Sequence, residues 1–146
     1  MDSATVLLID VHPEDEQLLR EELTQIRDRP YTVEVAPSLA NALARLRQGT
    51  IDIVLVDLNL PDSLGLTTFL RLQPKAGDRP IIVLVEQADK ELGVEAVERG
   101  SLDYLIKQQM TSTLLAKALH YATERTHTCL HSRLRKHAIA SCTKMW

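Results

Sequence analysis

The stretch Ile-Asp-Ile-Val-Leu-Val at 51–56 is almost wholly aliphatic and stops on Asp57. A strand reads this way when neither of its faces meets water, whereas a half-exposed strand alternates. Val-Leu-Leu-Ile at 6–9, ending on Asp10, and Ile-Ile-Val-Leu-Val at 81–85 have the same character. Leu-Asp-Tyr-Leu-Ile at 102–106, followed by Lys107, adds a further strand. Tyr-Thr-Val-Glu-Val-Ala at 31–36 alternates, as an edge strand does. Strands buried on both faces demand a parallel sheet covered by helices on each side.

The intervening segments supply those helices. Pro13, Glu14 and Asp15 open one that carries Leu18, Leu19, Leu23 and Ile26 on one face. Proline and acids suit a helix start, where amides lack partners and the dipole is positive. Ser38 is a good N-cap for the stripe Leu39, Ala42, Leu43 and Leu46, which stops at Gly49. A loop with Pro61 and Gly65 leads into Leu66, Phe69, Leu70 and Leu72, and a helix over about 89–99 ends at Gly100. From Thr111 a last helix shows Leu114, Leu115, Ala118, Leu119 and Ala122. Right-handed crossovers between such units predict an α/β, doubly wound, five-stranded parallel sheet in the order 2-1-3-4-5, a flavodoxin-like fold. Residues 1–125 read as one domain and 126–146 as a C-terminal helical extension or linker.

Composition narrows the function classes. The chain has 146 residues, 45% hydrophobic and 25% charged, enough for one real core and against disorder. A formal net charge of −3 does not call for nucleic acid or an anionic membrane, and no recognised DNA-binding module fits in the remaining residues. Cys129 and Cys142 have no framework spacing, which suits a reducing compartment. The N-terminus carries Asp2 and no basic segment or cleavage signal, so a soluble, cytoplasmic protein is expected.

In a sheet of this kind the site lies outside the carboxyl ends of the strands. Asp10, Asp57 and Lys107 all fall on that edge. Any one of them reads as a solvated charge; three converging are harder to dismiss. Two carboxylates can share a hard divalent cation such as magnesium. A carboxylate can also attack phosphorus, provided cations offset the charge gathering on the oxygens.

Asp57-Leu58-Asn59-Leu60-Pro61-Asp62-Ser63-Leu64-Gly65 resembles the phosphoacceptor segment of bacterial two-component response-regulator receiver domains. Gly100-Ser101-Leu102-Asp103-Tyr104-Leu105-Ile106-Lys107 resembles their fifth strand and its lysine, and Leu8-Ile9-Asp10 before Pro13 their acidic first turn. The resemblance covers about 5–125. It implies that Asp57 accepts a phosphoryl group from a sensor histidine kinase or phosphotransfer protein. It implies magnesium bound by Asp10, Asp57 and the backbone carbonyl of Asn59, with Lys107 pairing with the phosphoryl oxygens and Tyr104 as the aromatic switch residue. Output then passes to an effector protein or domain, and a homodimer is a family expectation. The chain is not an enzyme on this reading, beyond its own phosphorylation and dephosphorylation.

Departures from the family pattern weaken some of this. Val11 stands where a second acid is usual, so magnesium affinity should fall; His12, Glu14 or Asp15 could compensate, although helix-start acids more often serve the dipole and a lone loop histidine is more often solvated. Val85 replaces the switch Thr or Ser and lacks its hydroxyl. Glu86 replaces a small residue, with a side chain expected in solvent, and Gln108 replaces a proline. A phosphorylation-independent pseudo-receiver that binds a partner protein is the alternative. An aspartate-nucleophile phosphatase ranks behind both, because Asn59 stands where that class has a second aspartate. In the tail, Ala122, Leu130, Leu134 and Ala138 only weakly continue a stripe, and His127, Cys129 and His131 lack a completing ligand pair.

Overall fold

The computed structural model describes residues 4–26 and 30–136, the side chains of 125–136 excepted. The tail residues His127, Cys129, Leu130, His131, Leu134, Ala138 and Cys142 therefore lie outside the described side chains. Five parallel strands form one sheet: β1 (Ala4–Ile9), β2 (Tyr31–Ala36), β3 (Ile53–Asp57), β6 (Ile81–Val85) and β7 (Asp103–Ile106). Their order is β2-β1-β3-β6-β7, the expected 2-1-3-4-5 once a two-stranded hairpin is set aside. That hairpin, β4 (Asn59–Leu60) with β5 (Ser63–Leu64), occupies the stretch read from sequence as loop.

The aliphatic runs are double-sided, as their lack of alternation requires. Val6 and Leu8 of β1 point into one core with Ile53 and Leu55 of β3 and Ile82 and Leu84 of β6. That core is closed by Leu19 and Leu23 of α1 (Pro13–Leu23) and by Leu115, Leu119 and Ala122 of α5 (Ser112–Lys136). Leu7, Ile9, Val54, Val56, Val83 and Val85 point the other way, against α2 (Leu39–Leu46), α3 (Leu66–Ala76) and α4 (Lys90–Glu98). Phe69 of α3 is fully buried there. Each such side chain contributes about 1.5–3 kcal/mol of transfer free energy, which makes the two cores the main source of stability. Leu70 and Leu114, placed in helical stripes by their spacing, are instead 41% and 43% exposed.

Local chemistry explains the helix boundaries. Pro13 begins α1 directly after His12, whose extended backbone (φ −95°, ψ 115°) turns the chain out of β1. Ser38 Oγ accepts from the Asn41 N–H at 3.2 Å, as expected of an N-cap. The same helix end is closed a second time by Asp62 at the hairpin turn, whose carboxylate accepts from the Leu39 and Ala40 N–H groups at 2.9 and 3.0 Å. Those two bonds hold the Asp62 carboxyl below the usual aspartate range. Arg79 donates to the carbonyls of Ile51, Leu46 and Ala76 at 2.8, 3.1 and 3.0 Å, tying two helix ends to the start of β3. Helix α5 runs without a break from Ser112 to Lys136.

Candidate functional site

Parallel register delivers the charged residues to one edge. Ile9 of β1 is level with Val56 of β3, and Asp57 is level with Leu84 of β6. Val85 is level with Ile106, so Asp10, Asp57, Glu86 and Lys107 all emerge together where the strands end. Asp10, Asp57 and Lys107 are 3%, 2% and 9% exposed, unusually low for charged side chains.

Lys107 Nζ is the hub. It donates to Asp57 Oδ2 at 2.8 Å and to Asp15 Oδ2 at 2.6 Å, and lies 3.3 Å from Asp10 Oδ2. Asp57 Oδ1 accepts from the Asn59 backbone N–H at 3.0 Å, so the aspartate is held at both oxygens. Asp10 Oδ1 accepts from the His12 backbone N–H at 2.8 Å and stands 3.0 Å from His12 Nδ1. Asp10 Oδ2, although buried, accepts no hydrogen bond.

The electrostatics follow from this crowding. Burial raises the Asp10 carboxyl to about 6, helped by hydrogen bonding with Asp15 and by the Asp57 charge. Burial would raise Asp15 too, but its hydrogen bonds with Asp10 and Lys107 more than offset that and leave it below the ordinary value. Lys107 is raised: burial works against its charge, but its bonds to Asp15 and Asp57 outweigh that cost. Hydrogen bonding to Asp10 raises the His12 imidazole. Four carboxylates, of Asp10, Asp15, Asp57 and Glu86, lie within 4 Å of one ammonium, and the buried Asp10 Oδ2 accepts no hydrogen bond. A site with that deficit of positive charge and an oxygen-rich donor set fits a divalent cation. Asp10, His12, Asp15 and Asp57 each offer a ligand atom, all within 4.8 Å of one another.

Three residues sit otherwise than the simplest sequence reading had them. Asp15 belongs to the buried charge cluster, paired with Lys107, rather than serving only the α1 dipole. His12 is half exposed yet packs its ring nitrogen on Asp10, with Asp15 and Asp57 both 3.6 Å away. Glu86 is turned not simply to solvent but toward the site: its Oε2 is 3.8 Å from Lys107 Nζ and its other oxygen bonds the Gln108 amide. Only the spacing of Asp15 after Pro13, at the third position of α1, hinted at this, because the first turn of that helix faces the strand ends.

The substituted positions are equally clear. Val11 is 44% exposed and offers no oxygen. Val85 is 2% exposed and packed in the α3–α4 core. Gln108 bridges the two loops of the edge, accepting from the Gln87 N–H at 3.0 Å, and Gln109 bonds the Gln87 side chain at 2.9 Å. Tyr104 is half-buried against the same core and covers Gly93 of α4, where a Cβ would come within 2.7 Å of the ring. It also lines a surface groove with Lys90, Met110, Leu114 and Tyr121. Among the described residues no helix is long and apolar enough to cross a membrane.

Comparison with known proteins agrees with this geometry. The family model of the response regulator receiver domain matches residues 6–119. The chain is 34% identical over 122 residues to the nitrate/nitrite response regulator protein NarL of Escherichia coli, covering 82% of this chain and 54% of that protein. It is 32% identical over 95 residues to the two-component response regulator PhoP of Pseudomonas aeruginosa, covering 64% of this chain and 42% of that one. The chain thus spans less than two thirds of the length of these relatives. Among solved structures, the signal receiver domain of an HD domain-containing protein from Pseudomonas fluorescens superposes with a TM-score of 0.75 at 28% identity, covering 91% of this chain and 93% of that one. Sheet order, the acid–lysine edge and the family match together establish that this chain belongs to the response regulator receiver domain family.

Proposed function

We propose that the chain is the phosphoryl-accepting receiver of a two-component system, with Asp57 as the acceptor. The observation that carries this reading is the Asp57 carboxylate, buried at the end of β3 and 2.8 Å from Lys107 Nζ. An Asp57 oxygen attacks the phosphorus of a phosphohistidine, and the P–N bond breaks with its electron pair leaving on the imidazole, which takes up a proton. Lys107 follows the transferred oxygens and offsets their charge, while Asn59 N–H keeps the carboxylate oriented. Asp10, Asp57 and the Asn59 backbone carbonyl would hold a magnesium ion, which when bound would offset the charge on the phosphoryl oxygens as a Lewis acid. The phosphodonor is a sensor histidine kinase or phosphotransfer protein in the cytoplasm. The signal leaves through protein contacts with an effector, and residues 1–125 form the receiver, with the residues from 126 onward as its extension.

A phosphorylation-independent pseudo-receiver is the second reading, and specific residues favour it. Val85 cannot hydrogen-bond a phosphoryl oxygen, and Glu86 holds a carboxylate beside Lys107. Titration with beryllofluoride and magnesium, followed by amide NMR, separates the two. Saturable shifts at Asp57, Asn59 and Lys107 that vanish in Asp57→Asn support phosphotransfer; an unchanged spectrum at millimolar magnesium supports the pseudo-receiver.

A further inference from the structure

The position expected to supply a second carboxylate to the cation is Val11, which has no donor atom. The next residue does have one. His12 Nδ1 lies 3.0 Å from Asp10 Oδ1 and 3.6 Å from both Asp15 Oδ2 and Asp57 Oδ2. Adjacent ligands about 2.1 Å from a shared ion stand about 3–3.5 Å apart; the His12–Asp10 pair, now hydrogen-bonded, already has that spacing, and the two 3.6 Å pairs lie just outside it. The imidazole is placed in advance, because the His12 backbone N–H is fixed on Asp10 Oδ1 and Pro13 begins the helix behind it. Its 52% exposed side chain leaves the approach open to ions from solvent. Asp10 Oδ2 is buried within the cluster and accepts no hydrogen bond, its nearest cation being Lys107 Nζ at 3.3 Å.

We propose that this cation site takes a divalent first-row transition ion of the manganese-to-zinc series in preference to magnesium, with His12 Nδ1 as a ligand beside the carboxylates of Asp10 and Asp57. The proposal rests on the reading of this edge as a cation-assisted phosphoacceptor site. Magnesium favours oxygen ligands and retains its water, whereas imidazole nitrogen suits the later first-row ions. Asp10, Asp15, Asp57 and Glu86 all lie within 4 Å of the one ammonium, and a divalent ion offsets two of the negative charges left over. Asp15, now paired with Lys107, completes the set either directly or through water.

The test uses the full chain with manganese chloride and magnesium chloride as probes. Manganese binding is read by electron paramagnetic resonance, and magnesium by competition. Pulsed spectra of the bound manganese report any coordinated imidazole nitrogen. The expected result is nitrogen modulation in the wild type and its loss in His12→Gln. That variant should weaken manganese about tenfold, the equivalent of 1.4 kcal/mol, and change magnesium less than twofold. Asp10→Asn should weaken both ions. Absent nitrogen modulation in the wild type, equal loss of both ions in His12→Gln, or no binding of either ion overturns the proposal. Covalent phosphorylation of Asp57, measured separately by mass, decides the phosphoacceptor reading. A phosphorylated Asp57 without nitrogen ligation sinks only this inference, and nitrogen ligation without phosphorylation sinks only that reading.

Discussion

Lys107 Nζ and Asp15 Oδ2 stand 2.6 Å apart across ninety-two positions of sequence. The contact closes the strand-end edge from its α1 side, and through it Lys107 is shared between Asp15 and the proposed acceptor Asp57. Removing the charge of Asp15 therefore changes the stability of the fold as well as the lysine's freedom. Because the folded pKa of Asp15 is depressed, its contribution is present above pH 3.8 and is lost as pH falls through the lower folded value. Asp15→Asn should cost about 1–2 kcal/mol in urea unfolding at pH 7, and the difference from wild type should shrink below pH 3.8.

Asp10 carries the opposite sign. Its folded pKa is raised from 3.8 to about 6, so the folded state favours the protonated form, and that preference is fully present below 3.8 and lost as pH rises through 6. Asp10→Asn should therefore be more stable than wild type by about 1–2 kcal/mol at pH 7.5, with the gap closing toward pH 4. Equilibrium unfolding at the two pH values checks this. A destabilised Asp10→Asn at pH 7.5 would show that Lys107 more than compensates the buried carboxylate.

Arg79 satisfies three carbonyls from one guanidinium. Arg79→Ala leaves them to water or to each other and should cost about 2–3 kcal/mol. Arg79→Lys should recover little, because an ammonium lacks the planar fork that reaches all three. Thermal unfolding of the two variants beside wild type reads the difference.

Tyr104 packs its ring directly on Gly93 of α4. A Cβ at Gly93 would lie 2.7 Å from the ring, so Gly93→Ala must push Tyr104 off the helix or move α4 away from β7. The expected result is a loss of about 1–3 kcal/mol and increased Tyr104 exposure, seen as a stronger quenching response of its fluorescence or changed ring shifts by NMR.

Val85→Thr returns a hydroxyl to the end of β6, next to Glu86. In the unliganded protein the buried hydroxyl should cost about 1 kcal/mol or slightly more. With beryllofluoride bound to Asp57 the same hydroxyl gains a charged acceptor, so the complex should tighten several-fold relative to wild type. Titration of both proteins under identical metal concentrations measures the ratio.

The fold was legible because burial on both faces leaves an unmistakable mark: runs such as that at 81–85 have no polar position to spare. Strand order and the meeting of Asp10, Asp57 and Lys107 follow from that mark, since parallel register puts every strand's end on one edge. The partners of those residues were not legible in the same way. Asp15 and His12 reach the cluster only because the first turn of α1 folds back over the strand ends, which is a tertiary fact. Glu86 is drawn in by Gln108, a side-chain bond between two loops that no periodicity reports. The hairpin at Asn59–Leu60 and Ser63–Leu64 is too short to show alternation, and the solvent-facing placement of Leu70 and Leu114 depends on which neighbours each helix meets.

Intact-mass analysis of the full chain after incubation with a small phosphoramidate donor and a divalent ion tests the central assignment most directly. The expected result is a gain of one phosphoryl group in the wild type, mapped to Asp57, and no gain in Asp57→Asn. An unmodified wild-type chain, or equal modification of Asp57→Asn, would contradict it.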